Sequence, residues 1–232
     1  MKKATYDKAK LMKSFDKYFN LAEQRLQNKY GKTEARNITA QVRNEFETLI
    51  PRIPYIGGRK NMFTPVMIIN GWIIALYRVI KAKGGTVEDV IQISHEASDD
   101  FFKSLSPWVA KIIGQLVFTK LSIHYMQKQA KRSQKKIYTE DFVYTCSINQ
   151  KAHETEVELE FTECAVQKYY EAEGAEELKP YCNFFDPIYS KRFGMGVQAE
   201  HTFGLGCETC KLNYNNRRET KTPANLVDII KR

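Results

Sequence analysis

"HETEVELEF", residues 153–161, decides the architecture of this chain. Thr155, Val157, Leu159 and Phe161 alternate with Glu154, Glu156, Glu158 and Glu160. Successive side chains of a strand point to opposite faces, so this period of two predicts a half-exposed β-strand. "DFVYTCSI", residues 141–148, reads as its antiparallel partner, with the turn across Asn149–Ala152. After the pair, "ECAVQKYYEAEG" (residues 163–174) predicts a helix. A short helical or irregular piece at Cys182–Arg192, a strand at Val197–Phe203, a turn at Gly204–Glu208 and a strand at Thr209–Tyr214 follow. A last helical piece is expected near Ala224–Ile230.

Upstream of Thr139 the period changes from two to that of a helix. Leu11, Phe15, Tyr18, Phe19 and Leu26 recur at helical spacing between Tyr6 and Tyr30, and Gly31 ends the run. Ile38, Val42 and Phe46 mark a second helix from about Thr33 to Leu49. "PRIPYIGGRKNMF" (51–63) is a loop by its proline and glycine content. Thr64 and Pro65 then open a helix as N-cap and first-turn proline. That helix contains the longest apolar run, "VMIINGWIIALYRVI" from Val66 to Ile80. Asn70 and Arg78 interrupt the run, and it reads as a buried helix rather than a membrane span. Gly84-Gly85 stops it, and Thr86 with Asp89 forms a capping box for the next helix. Ser106-Pro107 starts one last long helix, which runs into the basic stretch. The expected fold is therefore α+β. A helical region over 1–137 packs on a small antiparallel-sheet α/β region over 138–232.

Composition limits the function classes. The net charge is +9, but residues 1–137 carry +14 and residues 138–232 carry −5. The densest basic run, "KQAKRSQKK" at 128–136, lacks interleaved aromatics and any zinc-finger or glycine-rich signature. It reads as a solvated helix end, and no nucleic-acid partner is expected. "MKKATYDKAK" has no apolar stretch behind its lysines, so a cytoplasmic protein without a secretory signal is expected, with no membrane partner. The five cysteines then read as reduced thiols.

Three of them fall in "CNFFDPIYSKRFGMGVQAEHTFGLGCETC", residues 182–210. Cys207-x-x-Cys210 is half of a zinc motif, and Cys164, Cys182 and His201 stand apart in sequence rather than as a second close pair. No metal and no cofactor are expected. Strand parity puts His201 on one face with Val197, Ala199 and Phe203, and Cys210 on one face with Leu212 and Tyr214. Both are expected to point inward. Cys182, Asp186 and His201 then form the candidate catalytic group, a thiol with an imidazole and a carboxyl to manage its proton. Packing alone, with a core histidine and inert buried thiols, accounts for the same pattern. Backbone N–H groups at Gly204–Gly206 are candidates for stabilising negative charge, and Arg192 or Lys191 for pairing with a substrate carboxylate.

At these residues the chain resembles the L-2-amino-thiazoline-4-carboxylic acid hydrolases. "TECAVQKYYEAEG" (162–174) is similar to that family's cysteine after its central strand, here Cys164. "PYCNFFDPIYSKRFG" (180–194) is similar to its cysteine–aspartate pair, here Cys182 and Asp186. "AEHTFGLGCETCKLNY" (199–214) is similar to its closing hairpin, a glycine and then a cysteine four residues on, here Gly206 and Cys210. "NMFTPVMIINGWIIALYRVIKAKGGTVEDVIQI" (61–93) is similar to its helical part. Lys211 and Leu212 stand where many members have an acidic and an aromatic residue, and Cys207 is extra.

The resemblance implies hydrolytic opening of a small cyclic C=N compound such as 2-amino-thiazoline-4-carboxylate to an N-carbamoyl amino acid. Cys182 is the implied nucleophile, or else His201 or Asp186 activates water. Arg192, Cys164, Cys210 and Gly206 are expected to contact the substrate. The C-terminal part also resembles the 4-vinyl-reductase small-ligand-binding domain, whose strand, strand, helix, strand, strand order it shares. That likeness keeps a non-catalytic binding domain as the alternative. The partner is a small molecule in either case, and a homo-oligomer is compatible with both.

Overall fold

The computed structural model describes residues 5–230. Among them α1 (Lys8–Tyr18), α2 (Asn20–Tyr30), α3 (Lys32–Leu49), α4 (Thr64–Ala82), α5 (Val87–Lys103), α6 (Pro107–Val117) and α7 (Lys120–Ser133) come first. Then follow β1 (Val143–Lys151), β2 (Glu154–Glu163), α8 (Ala165–Ala172), α9 (Asp186–Phe193), β3 (Cys210–Asn215) and α10 (Ala224–Ile230). The fold is α+β, and one hydrophobic core runs through both parts.

α4 holds the two parts together. Most of its apolar residues are buried, and its two polar interruptions are paired. The Asn70 amide donates to the Val66 carbonyl at 2.8 Å, and its oxygen accepts from the Tyr170 hydroxyl of α8. Arg78 donates to Glu45 of α3 at 2.7 Å and to the Glu173 carboxylate after α8 at 2.9 Å. Its 19 residues are long and apolar enough to cross a membrane by composition. The pairing of Asn70 and Arg78 inside the fold instead makes it the central core helix. The capping box before α5 is present: Thr86 Oγ1 accepts from the Asp89 N–H, and the Asp89 carboxylate accepts from the Thr86 N–H.

The sheet has the order β1-β2-β3, antiparallel throughout. Leu159 faces Cys146 on one side and Leu212 on the other, and Phe161 faces Tyr144 and Cys210. The alternation read in 153–161 holds, since Val157, Leu159 and Phe161 are buried. The apolar face meets Phe63, just before α4, through Tyr144 and Phe161, and the glutamates lie on the other face.

Four expectations fail at the level of elements. Phe19 breaks the first helix into α1 and α2. The long helix after Ser106 breaks at Phe118-Thr119, where Thr119 Oγ1 accepts from the Ser122 N–H and caps α7. Thr64 is the first residue of α4 rather than its cap, and its hydroxyl donates to the Gly58 carbonyl at 2.7 Å.

Most consequentially, Val197–Phe203 is not a strand. It makes a single bridge, Gln198 with Asn213. The Gln198 and Asn213 backbones exchange both hydrogen bonds, but the next donation runs from Lys211 N–H to the His201 carbonyl at 2.8 Å. Three steps on one side are matched by two on the other. The extra residue acts as a bulge and reverses the side-chain parity. Val197, Ala199 and Thr202 are buried, while Glu200 and His201 are exposed. The sheet therefore has three strands, not the four that were expected.

Candidate active site

A cavity of about 270 Å³ lies between the apolar face of the sheet and α4, with the segment that leads into α9 forming a third wall. Cys164, Cys182, Cys210 and Asp186 all line it, with Tyr189, Tyr214, Thr202 and Asn183. Each is placed by a different element. Cys164 is the residue between β2 and α8, where the chain turns from strand to helix. Cys210 opens β3 and shares its inward face with Leu212 and Tyr214, as strand parity requires. Asp186 is the first residue of α9, with Pro187 behind it fixing a helical start.

Cys182 sits in a tight connection that other groups hold in place. The buried Asn183 amide donates to the Ala199 carbonyl at 2.8 Å. Asn183 and Asn225 exchange hydrogen bonds of 3.0 and 3.2 Å, and Asn225 also donates to the Pro180 carbonyl at 2.9 Å. Gly204 passes so close that an added Cβ would stand 1.9 Å from the Lys179 carbonyl oxygen and 3.2 Å from the Cys182 sulfur. No other residue fits there.

A hydrogen-bonded chain ends on Asp186. The Tyr189 hydroxyl donates to Asp186 Oδ1 at 2.9 Å and lies 2.7 Å from the Tyr214 hydroxyl. Tyr189 has one proton, so when that proton goes to the carboxylate Tyr214 must donate to Tyr189. Burial pushes the Asp186 carboxyl up to about 7, against the opposing pull of the Tyr189 hydrogen bond. Burial, with Cys164 and Asp186 adding negative charge, pushes the Cys182 thiol up to about 12. Cys164 and Cys210 are also raised, chiefly by burial. Near neutral pH the carboxyl is thus poised between its two forms while the thiols hold their protons. The Thr202 hydroxyl is buried with no hydrogen-bond partner of ordinary geometry. It lies beside the Cys182 thiol, on which it acts as a hydrogen-bonding neighbour.

Three of the expected site residues lie elsewhere. His201 is turned to solvent by the bulge, with Nε2 3.1 Å from the Thr209 hydroxyl. Arg192 donates to the Lys103 and Leu105 carbonyls at the end of α5 and does not line the cavity. Gly206 caps a short turn in a left-handed conformation, exposed and outside the cavity. Cys207 is also outside it. All five cysteines are free thiols, and among the described residues no group of three or more His, Cys, Asp or Glu is arranged to hold a metal ion.

Sequence reasoning missed Tyr189, Tyr214 and Asn183. Two of these carried a signal. Tyr189 is three residues after Asp186 on a helix, which puts the two on one face. Tyr214 shares strand parity with Cys210.

The cavity gathers three thiols and one carboxyl raised toward neutrality where the helical layer meets the three-stranded sheet. The chain belongs to the L-2-amino-thiazoline-4-carboxylic acid hydrolase family, whose model matches residues 68–214. The family's name is that of a hydrolase, and the matched span includes every thiol of the cavity, Asp186 and both tyrosines. No curated protein and no solved structure matches the chain.

Proposed function

We propose that this cavity hydrolyses a small cyclic C=N compound of the 2-amino-thiazoline type, with Asp186 moving the protons and Cys182 as nucleophile. The observation that carries the reading is that a carboxyl raised to about 7 shares one cavity with the Cys182 thiol. A cavity of about 150 Å³ holds benzene, so about 270 Å³ has room for a substituted five-membered ring.

The electrophile is the ring carbon bonded to sulfur and two nitrogens. Asp186 takes the proton of Cys182 as the sulfur attacks that carbon. The carbon's bond to the ring sulfur breaks, and Asp186 returns the proton to the departing sulfur. This leaves an S-linked isothiourea on Cys182 and an open chain ending in a thiol. Water then adds to the same carbon; one of its protons goes to the imine nitrogen, and the other passes through Asp186 to Cys182 as that bond breaks. The product is a carbamoyl group on the former ring nitrogen. Atoms balance with one water consumed, and no oxidant or reductant enters. General acid–base work of this kind is worth about 10²–10⁴ in rate.

A second reading has Asp186 activating water directly, with the thiols only shaping the pocket. The raised Cys182 thiol favours it, because a thiol at about 12 resists giving up its proton to a carboxyl at about 7. The test is to mix the wild type, Cys182→Ala and Asp186→Asn with 2-amino-thiazoline-4-carboxylate and its decarboxylated analogue, and to follow ring opening. The covalent route expects Cys182→Ala to be inactive and wild type to carry, transiently, an adduct of one whole substrate mass on Cys182. An active Cys182→Ala leaves water activation. A wild type that binds either compound without opening it leaves a ligand-binding domain and defeats the hydrolase reading.

A further inference from the structure

α6 turns its large residues outward. It rests on α9 through its smallest ones, Ala110 and Gly114, which are buried. Gly114 passes so close to the Phe193 carbonyl that a Cβ would collide with it. Trp108, Ile112 and Leu116 recur every four residues on the other side and are 67%, 47% and 53% exposed. Past the break at Phe118-Thr119, Leu121, Tyr125 and Lys128 lie on the face of α7 opposite its buried Ile123, Met126 and Ala130. Of the nine large apolar side chains exposed among the described residues, all but Tyr18 and Leu205 fall between Trp108 and Ile137. Exposed apolar residues scattered singly are ordinary, whereas a gathering of them marks an interaction surface.

The charge of the same segment has one sign. Between Asp100 and Glu140 there are eight Lys and Arg and no Asp or Glu. Lys103 pairs with Asp99, Lys136 pairs with Glu163, and Arg132 donates to the Lys60 carbonyl. The other five, Lys111, Lys120, Lys128, Lys131 and Lys135, are exposed and form no ion pair among the described residues. A second copy of the chain docked on this face would set its lysines against these, and like charges brought together across an interface are costly. A nucleic acid would meet the cations but leave the Ile and Leu side chains without a partner. An anionic lipid surface answers both halves. Its acyl chains take the aliphatic side chains, its headgroup level suits Trp108 and Tyr125, and its phosphates take the lysines.

We infer that α6 and the start of α7 form a docking surface for an anionic membrane face, in whose plane α6 lies. The expectation of no membrane partner rested on the N-terminal stretch, and neither that stretch nor the core helix α4 bears on a helix lying flat on lipid. The inference is independent of the hydrolase reading.

The experiment is co-sedimentation of the wild-type protein with vesicles of phosphatidylglycerol and, separately, of phosphatidylcholine. Partitioning should be at least about tenfold stronger on the anionic vesicles. Trp108→Ser with Leu116→Ser, and separately Lys111→Glu with Lys128→Glu, should each weaken it by at least about tenfold. All four side chains are exposed, so the fold is kept. Trp72 and Trp108 are the two tryptophans, so in Trp72→Phe the emission of Trp108 alone should shift to the blue on anionic vesicles. If Trp72→Phe does not fold, sedimentation decides. No binding, equal binding to both vesicles, binding that survives in both double variants, or a wild-type dimer that Trp108→Ser with Leu116→Ser dissolves overturns the inference.

Discussion

Replacing Asp186 by asparagine should stabilise the fold and stop the chemistry. The amide keeps the shape of the carboxyl and an oxygen to accept the Tyr189 hydroxyl, now 2.9 Å away. What it removes is a carboxyl that burial has raised from 3.8 to about 7. Below about pH 4 the carboxyl is neutral folded and unfolded, and the two proteins differ little on this account. As pH rises from 4 to 7 the unfolded chain releases its proton and the folded one retains it, so wild-type stability falls across that window and levels off above it. A rise of about 3 pH units corresponds to roughly 4 kcal/mol. Asp186 is only half-buried by area because it lines the cavity, and water there reduces the effect to about 2–4 kcal/mol. For a chain of this size that is a gain of about 4–16 °C in Tm for Asp186→Asn at pH 8, falling to about a quarter of that at pH 4.5. Thermal unfolding of both proteins at the two pH values measures it. The titration of other groups is common to both and cancels in the difference. A variant less stable than wild type at pH 8, or a difference that does not change with pH, would refute the reasoning that the carboxyl is held against its solvation preference.

Three further outcomes follow from the geometry. His201→Asn and Cys207→Ala should each leave ring opening within about twofold of wild type, since neither side chain lines the cavity; a loss of a hundredfold in either would return that residue to the site. Gly114→Ala should destabilise the fold by at least about 2 kcal/mol in urea unfolding, because a Cβ there meets the Phe193 carbonyl oxygen at 1.8 Å and forces α6 away from α9. Arg78→Met should lower stability by ~3–5 kcal/mol, since Glu173, 7% exposed, would keep its charge with only the partly exposed Arg52 at 3.4 Å as partner; unchanged unfolding would show that Glu173 is not held by this pair.

The sequence by itself determined the elements whose signal is local. Alternation in residues 153–161 specified a half-buried strand, because side chains one residue apart leave a strand on opposite faces. The capping box at Thr86 and Asp89 specified the start of α5, because its two hydrogen bonds close within four residues. The clustering of Cys182, Asp186 and Cys210 in one stretch, together with Cys164 after the strand, already outlined the cavity. His201 was misplaced for a reason no single segment carries. Its facing depends on how residues 198–201 register against residues 211–213, with Gln198 opposite Asn213 and His201 opposite Lys211, and the one extra residue on its own side exchanges His201 for Thr202. Arg192 looked available for an anion because its charge is written in the sequence, but the carbonyls that occupy it belong to residues nearly ninety positions away. The neutral pKa of Asp186 and the chain of hydroxyls behind it likewise arise only when α9, β3 and α4 close around one volume. Burial and long-range pairing, unlike period and capping, are properties of the assembled fold.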